Sequence, residues 1–99
     1  MSCCPATSSG LKSADAAILD APGRLLGVQV IGDGTNAATV LIYDNASAAS
    51  GTVLAKLIVD AGLTYVDMNV PVEGIVCNNG IYADVSGTGA EYIVLFSRG

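Results

Sequence analysis

The chain contains no histidine and no tryptophan, a single phenylalanine, and only four basic residues, Lys12, Arg24, Lys56 and Arg98, against nine acidic ones. Each shortage excludes something. Without histidine the commonest general base and the commonest metal ligand are missing. A net charge of −5 leaves no basic patch to neutralise phosphates, so neither nucleic acid nor an anionic membrane surface is an expected partner. No apolar run approaches the roughly 18 residues a bilayer span needs. A charged n-region followed by an apolar h-region is absent from the N-terminus, so no secretory leader is expected. Nor does any G-x-S-x-G or G-x-G-x-x-G occur. No cofactor, no metal and no catalytic residue is expected, and the chain is read as a non-enzyme.

Three cysteines, Cys3, Cys4 and Cys77, cannot pair completely within one chain. They read as free thiols in a reducing compartment, with an interchain disulfide as the alternative.

What is present is apolar. Fifty-two per cent of the 99 residues are hydrophobic and 13% charged, against about a quarter charged in an average soluble domain. One domain of this length buries only about two-thirds of its unfolded surface. With so few charges to cover the outside, part of the apolar surface is expected to meet another chain, as in a homo-oligomer.

The composition divides the chain in two. Residues 1–22 are small and polar and read as an extended N-terminal arm, with one short helical turn in "SADAAILD" capped by Ser13. Pro22-Gly23 closes the segment. Residues 23–99 read as a β-sandwich domain, with strands near 24–32, 38–44, 52–60, 63–70, 74–77, 80–86 and 90–97. Turn signals recur about every ten residues, as in antiparallel all-β sandwiches. Asp33-Gly34, Ala61-Gly62, Asn79-Gly80 and Gly87–Gly89 supply the turn chemistry. "GDGTNAAT" lacks the lysine and following helix of a phosphate loop and reads as a turn.

Alternation orients several strands. Val66, Met68 and Val70 face away from Tyr65, Asp67 and Asn69. Ile81, Ala83 and Val85 oppose Tyr82 and Asp84. Two strands are apolar on both sides: Val40 and Ile42 against Leu41 and Tyr43, and Tyr92, Val94 and Phe96 against Ile93 and Leu95. A sandwich buries only one side internally. Leu41, Tyr43, Ile93 and Leu95 are therefore the candidate subunit interface, unless the arm folds back over them.

Weaker patterns have ordinary explanations. Asp60 and Asp67 flank a turn, but strand-end carboxylates are usually solubilising rather than a hydrolase pair. With Asp33 they lack the spacing of a calcium loop. Tyr65 and Tyr82 with Asp67 form an alternative candidate, a carbohydrate-binding platform on a tail- or fibre-associated module.

Two stretches, "GRLLGVQVIGDGTNAATVLIYDNASAASGTVLAKLIVDAG" and "NNGIYADVSGTGAEYIVLF", resemble small all-β virion proteins of tailed bacteriophages, of the kind carried by cyanophages. The likeness covers about residues 23–97. It implies a jelly-roll-like or Ig-like sandwich serving as a capsid cement (decoration) protein or a head–tail component. Such a protein binds the major capsid protein, commonly as a homotrimer on the outer capsid surface, after synthesis in the host cytoplasm. The resemblance also implies attachment through an N-terminal arm. Ser2, Cys3, Cys4, Pro5, Leu11, Ile18 and Leu19 are then the expected capsid contacts, with small side chains permitting close approach as an added strand.

Overall fold

The computed structural model describes residues 6–68 and 74–98. Among them are nine strands and no helix: β1 (Thr7–Ser8), β2 (Ala16–Leu19), β3 (Gly23–Ile31), β4 (Ala38–Tyr43), β5 (Val53–Val59), β6 (Tyr65–Met68), β7 (Ile75–Cys77), β8 (Ile81–Ser86) and β9 (Glu91–Ser97). Seven of them match the strands expected from residue 23 onward, each within two residues at the ends that are described.

The strands form two antiparallel sheets packed together, as expected for a β-sandwich. One has the order β1-β9-β3-β6, with β7 also on β3; the other has the order β2-β8-β4-β5. β6 pairs with Val28–Ile31 and β7 with Gly23–Leu25, so the two lie end to end along one side of β3. They act as a single interrupted strand. With that strand counted once, the sheets read first-eighth-third-sixth and second-seventh-fourth-fifth. This is the order of an eight-stranded jelly roll, in which β4 and β5 form a hairpin and the other neighbours come from Greek-key connections. The Ig-like alternative does not fit it.

The register explains the core. Leu25, Val28 and Val30 of β3 point inward together with Tyr92, Val94 and Phe96 of β9. From the other sheet come Val40 and Ile42, Leu57 and Val59, and Ile81 and Ala83. Their alternating partners face out, the period of two that the sequence shows. A bulge at Leu25–Gly27 keeps both halves of β3 in phase with the core. Each such Leu, Ile or Val removed from water contributes about 1.5–3 kcal/mol. Val66 and Met68 pack against this core as expected; Val70 lies outside the described residues.

The N-terminal segment departs from the expectation. Residues 7–19 are not a separate arm but supply the first strand of each sheet. β1 lies against β9, with Thr7 opposite Phe96 and Ser8 opposite Leu95. Ser9 and Lys12 continue the contact, Ser9 N–H donating to Val94 C=O at 2.8 Å and Lys12 exchanging backbone hydrogen bonds with Tyr92. "SADAAILD" contains a strand, β2, paired with β8, rather than a helical turn. Six residues of isolated helix are marginal, whereas β8 offers a complete edge of backbone partners. The boundary at 22/23 therefore falls inside the sandwich, because a jelly roll needs a strand from this segment at the edge of both sheets. Nor does the segment cover the outer faces; it runs along their edges.

Glycine is required where these elements meet. A Cβ on Gly80 (φ +155°) would collide with the carbonyl oxygen of Leu19 and lie 2.9 Å from Ala46 Cα. A Cβ on Gly23 would strike the carbonyl of Ser97 and approach Leu19 Cδ2 to 2.6 Å.

Candidate interaction faces

The outer face of the β2-β8-β4-β5 sheet is ordered in rows across the strands. Tyr82, Tyr43 and Val53 form one row, Asp84, Leu41 and Lys56 the next, and Ser86, Thr39 and Ile58 the third. Val53 and Ile58 are about half exposed, at 48% and 49%. Lys56 is exposed, and Leu41, Tyr43, Tyr82 and Asp84 are half-buried. β4 thus carries an uncharged line flanked by an acidic strand on one side and a basic one on the other.

The acidic side has two carboxyls. Asp15 Oδ1 accepts the backbone N–H of Val85 at 2.8 Å, which holds it beside Asp84. The Asp84 carboxyl is pushed above its ordinary range by burial first, then by the charge of Asp15 and a hydrogen bond with it.

On the β1-β9-β3-β6 sheet the outer face carries Ile93 and Leu95 of β9, Gln29 and Ile31 of β3, and Tyr65 and Asp67 of β6. Tyr65 is 50% exposed and shares a hydrogen bond with Asp67. The four residues expected at a subunit interface all point outward and are half-buried, but they belong to two faces. Leu41 and Tyr43 lie on one side of the molecule, Ile93 and Leu95 on the other.

The same geometry divides the tyrosines. Tyr65 and Asp67 lie on one sheet and Tyr82 on the other, so these three do not form one sugar platform. Tyr82 instead stands opposite Tyr43. Tyr92 is a core residue, fully buried, with its hydroxyl donating to the carbonyl of Ala14 at 2.7 Å.

Of the expected capsid contacts, Leu19 is 2% exposed inside the core and Ile18 packs against it. Leu19 is thus a core side chain, taken from the contact set by the pairing of β2 with β8. Leu11 is 58% exposed and available. Ser2, Cys3, Cys4 and Pro5 lie outside the described residues.

The loops are closed by carboxylates and amides. Asp33 Oδ1 accepts the backbone N–H groups of Thr35 and Asn36, both at 2.8 Å, so the donors of "GDGTNAAT" are turned onto its own aspartate. These bonds, that of Asn36 first, hold the Asp33 carboxyl below its usual range. Asp44 reaches across to the β7–β8 turn and accepts the N–H groups of Asn78, Asn79 and Gly80 at 3.2, 2.8 and 3.4 Å. Burial pushes its carboxyl up, but the three backbone donors together bring it below the ordinary value.

A shallow cavity of about 190 Å³ lies near Arg24, Val76, Asn78 and Arg98, with the buried Cys77 at its wall. Among the described residues no group of three or more His, Cys, Asp or Glu side chains could hold a metal ion, and no helix is long and apolar enough to cross a membrane.

Comparison with protein-family models, with curated proteins and with solved structures gives no match.

Sequence reasoning placed Leu41 and Tyr43 on an outer face but missed Lys56, Asp84 and Asp15 as their neighbours. The alternation within "VLAKLIV" was a usable signal for Lys56 and Ile58. Which strand lies beside which depends on pairing, and no residue pattern within one strand encodes it.

Proposed function

We propose that this chain is a non-enzymatic structural component of a tailed-phage virion, a cement protein that seats on the major capsid protein at the outer surface of the shell. The observation that carries the reading is the apolar character of both outer faces. Ile58, Val53 and Tyr65 are about half exposed, and Leu41, Tyr43, Ile93 and Leu95 lie beside them, with no helix among the described residues to cover either sheet. Such surface is what assembly covers. The jelly-roll order supports the reading because viral capsid domains are a recurrent use of that architecture. Lectins and other proteins share it, so fold analogy alone does not decide function. The resemblance of residues 23–97 to small virion proteins points the same way.

Attachment in this reading runs through the sheet faces and the exposed Leu11, while Leu19 stays in the core. The chain is made in the host cytoplasm and self-associates on the lattice, where many weak contacts act together.

The test is to add the purified chain to capsids assembled from the major capsid protein alone and to sediment them. Saturable binding at a fixed ratio to capsid subunits, with greater resistance of the shell to heat, is the expected result. No co-sedimentation at a chain concentration well above that of capsid sites would overturn the reading.

A further inference from the structure

We propose that the outer face of the β2-β8-β4-β5 sheet is a contact between two copies of this chain, related by a two-fold axis running along β4. The proposal rests on the reading of the chain as a self-associating structural module and specifies the partner and the geometry.

The charge pattern selects this axis. Rotation by 180° about a line along β4 brings β8 of one copy over β5 of the other. Each β4 then lies over its own counterpart, as an isologous contact requires. Cross-strand pairing fixes what meets what. Leu41 has Asp84 on one side and Lys56 on the other. The rotation therefore sets Lys56 of each copy against Asp84 of its partner, with Leu41 on the axis. The neighbouring row sets Tyr82 against Val53 and Tyr43 against Tyr43; the third sets Ser86 against Ile58 and Thr39 against Thr39. No like charges meet. An axis across the strands instead would face Lys56 with Lys56 and Asp84 with Asp84, which is repulsive at every charged position.

Two further features agree. The exposed apolar residues of this sheet, Val53 and Ile58, fall within the area covered. Asp84 is crowded by Asp15, and a cation from outside relieves two carboxylates together. Two sheet faces packed in this way lie about 10 Å apart with strands nearly aligned.

The experiment uses two charge reversals and sedimentation equilibrium. Lys56→Glu places acids opposite Asp84, and Asp84→Lys places a base opposite Lys56. Each variant alone is expected to dissociate about a hundredfold more readily than the parent, because like charges then face each other at two symmetric positions. Mixed one to one, the two variants restore both opposite-charge pairs, and a mixed dimer with near-parental affinity is expected. Circular dichroism confirms that each variant is folded. Leu41→Ser, an outward side chain on the axis, gives an independent check and is expected to weaken pairing at least tenfold.

Reversals that leave association unchanged would show that Lys56 merely guards a sheet edge, and would overturn the proposal. So would two monomeric variants that stay monomeric when mixed, or a parent chain that is a monomer or a trimer. A monomeric parent that still decorates capsids removes the pairing and leaves the functional reading intact. A two-fold dimer that ignores capsids does the reverse.

Discussion

The hydroxyl of Tyr92 donates a 2.7 Å hydrogen bond to the carbonyl of Ala14, so the interior of β9 is tied to the segment that joins β1 to β2. Tyr92 is the largest fully buried side chain among the described residues, and its ring lies in the core while its polar tip reaches the rim. The bond spans 78 positions of sequence and holds the crossover between the two sheets.

Removing that hydroxyl tests the tie. Tyr92→Phe keeps the ring and is expected to destabilise the fold by about 1 kcal/mol in urea unfolding, the usual net value of one such bond. The tyrosine also predicts alkaline behaviour. Burial first, then the charge of Asp15 and the neighbouring Tyr82, push its pKa up to about 12 from 10.0. A raised folded-state pKa means that the neutral form stabilises the fold. The contribution is present below pH 10 and is lost as pH rises toward 12. Ultraviolet titration of the parent should show a late phenolate step that is missing in Tyr92→Phe.

Leu19 tests whether the N-terminal segment belongs to the body. It is 2% exposed and packs in the shared core. Leu19→Ala is expected to destabilise the domain by about 2–5 kcal/mol, the range for leucine truncation in a packed interior. Deleting residues 1–22 removes β1, β2 and this side chain, and loss of the cooperative thermal transition is expected. A truncated chain that melts like the parent would show the segment to be dispensable.

Asp44 joins two loops that are distant in sequence, through three backbone donors. Asp44→Ala leaves those N–H groups to water and is expected to lower stability by about 1–2 kcal/mol at neutral pH, the lower part of the range for bonds to a charged acceptor because the site is near solvent. Its pKa is depressed from 3.8, burial opposing and the backbone donors prevailing. The stabilisation is therefore present above pH 3.8 and is lost as pH falls through the folded-state value. Parent and variant melting curves should converge below that point.

Cys77 is free and fully buried in the core. Burial foremost raises its thiol pKa; the Gly23 N–H opposes this, and the charge of Asp44 adds to it. In a Cys3→Ser, Cys4→Ser background, a thiol reagent is expected to react with native protein far more slowly than with protein in denaturant, by about the folded-to-unfolded ratio. Rapid reaction of native protein would show that this end of the sandwich opens easily.

The strands from β3 onward were legible because β-branched runs, period-two alternation and glycine turns agree there. "ATVLIYD" and "EYIVLFS" each show an inward and an outward set, and the structure keeps both. The first two strands were hidden. Thr7–Ser8 and Ala16–Leu19 carry small side chains or only a few apolar ones, and an edge strand takes its stability from the neighbour it pairs with rather than from its own residues. "SADAAILD" favours helix locally, and the edge of β8 overrides it. The acidic and basic flanks of Leu41 were equally hidden, since Asp84 and Lys56 come together only through the order β8-β4-β5.

The pairing of β1 with β9 and of β2 with β8 bears on biosynthesis. A ribosome releases the beginning of the polypeptide long before its later portion. β1 and β2 have no native neighbours until β8 and β9 emerge, and β3 also waits for β9. Both layers therefore depend on pairing between early and late strands, through contacts of high sequence separation that make folding slow. β5 can pair with β4 as soon as it emerges, but the apolar inner faces of these early strands stay uncovered until β8 and β9 arrive, and a cell making this polypeptide in quantity has reason to shield nascent chains from one another until then.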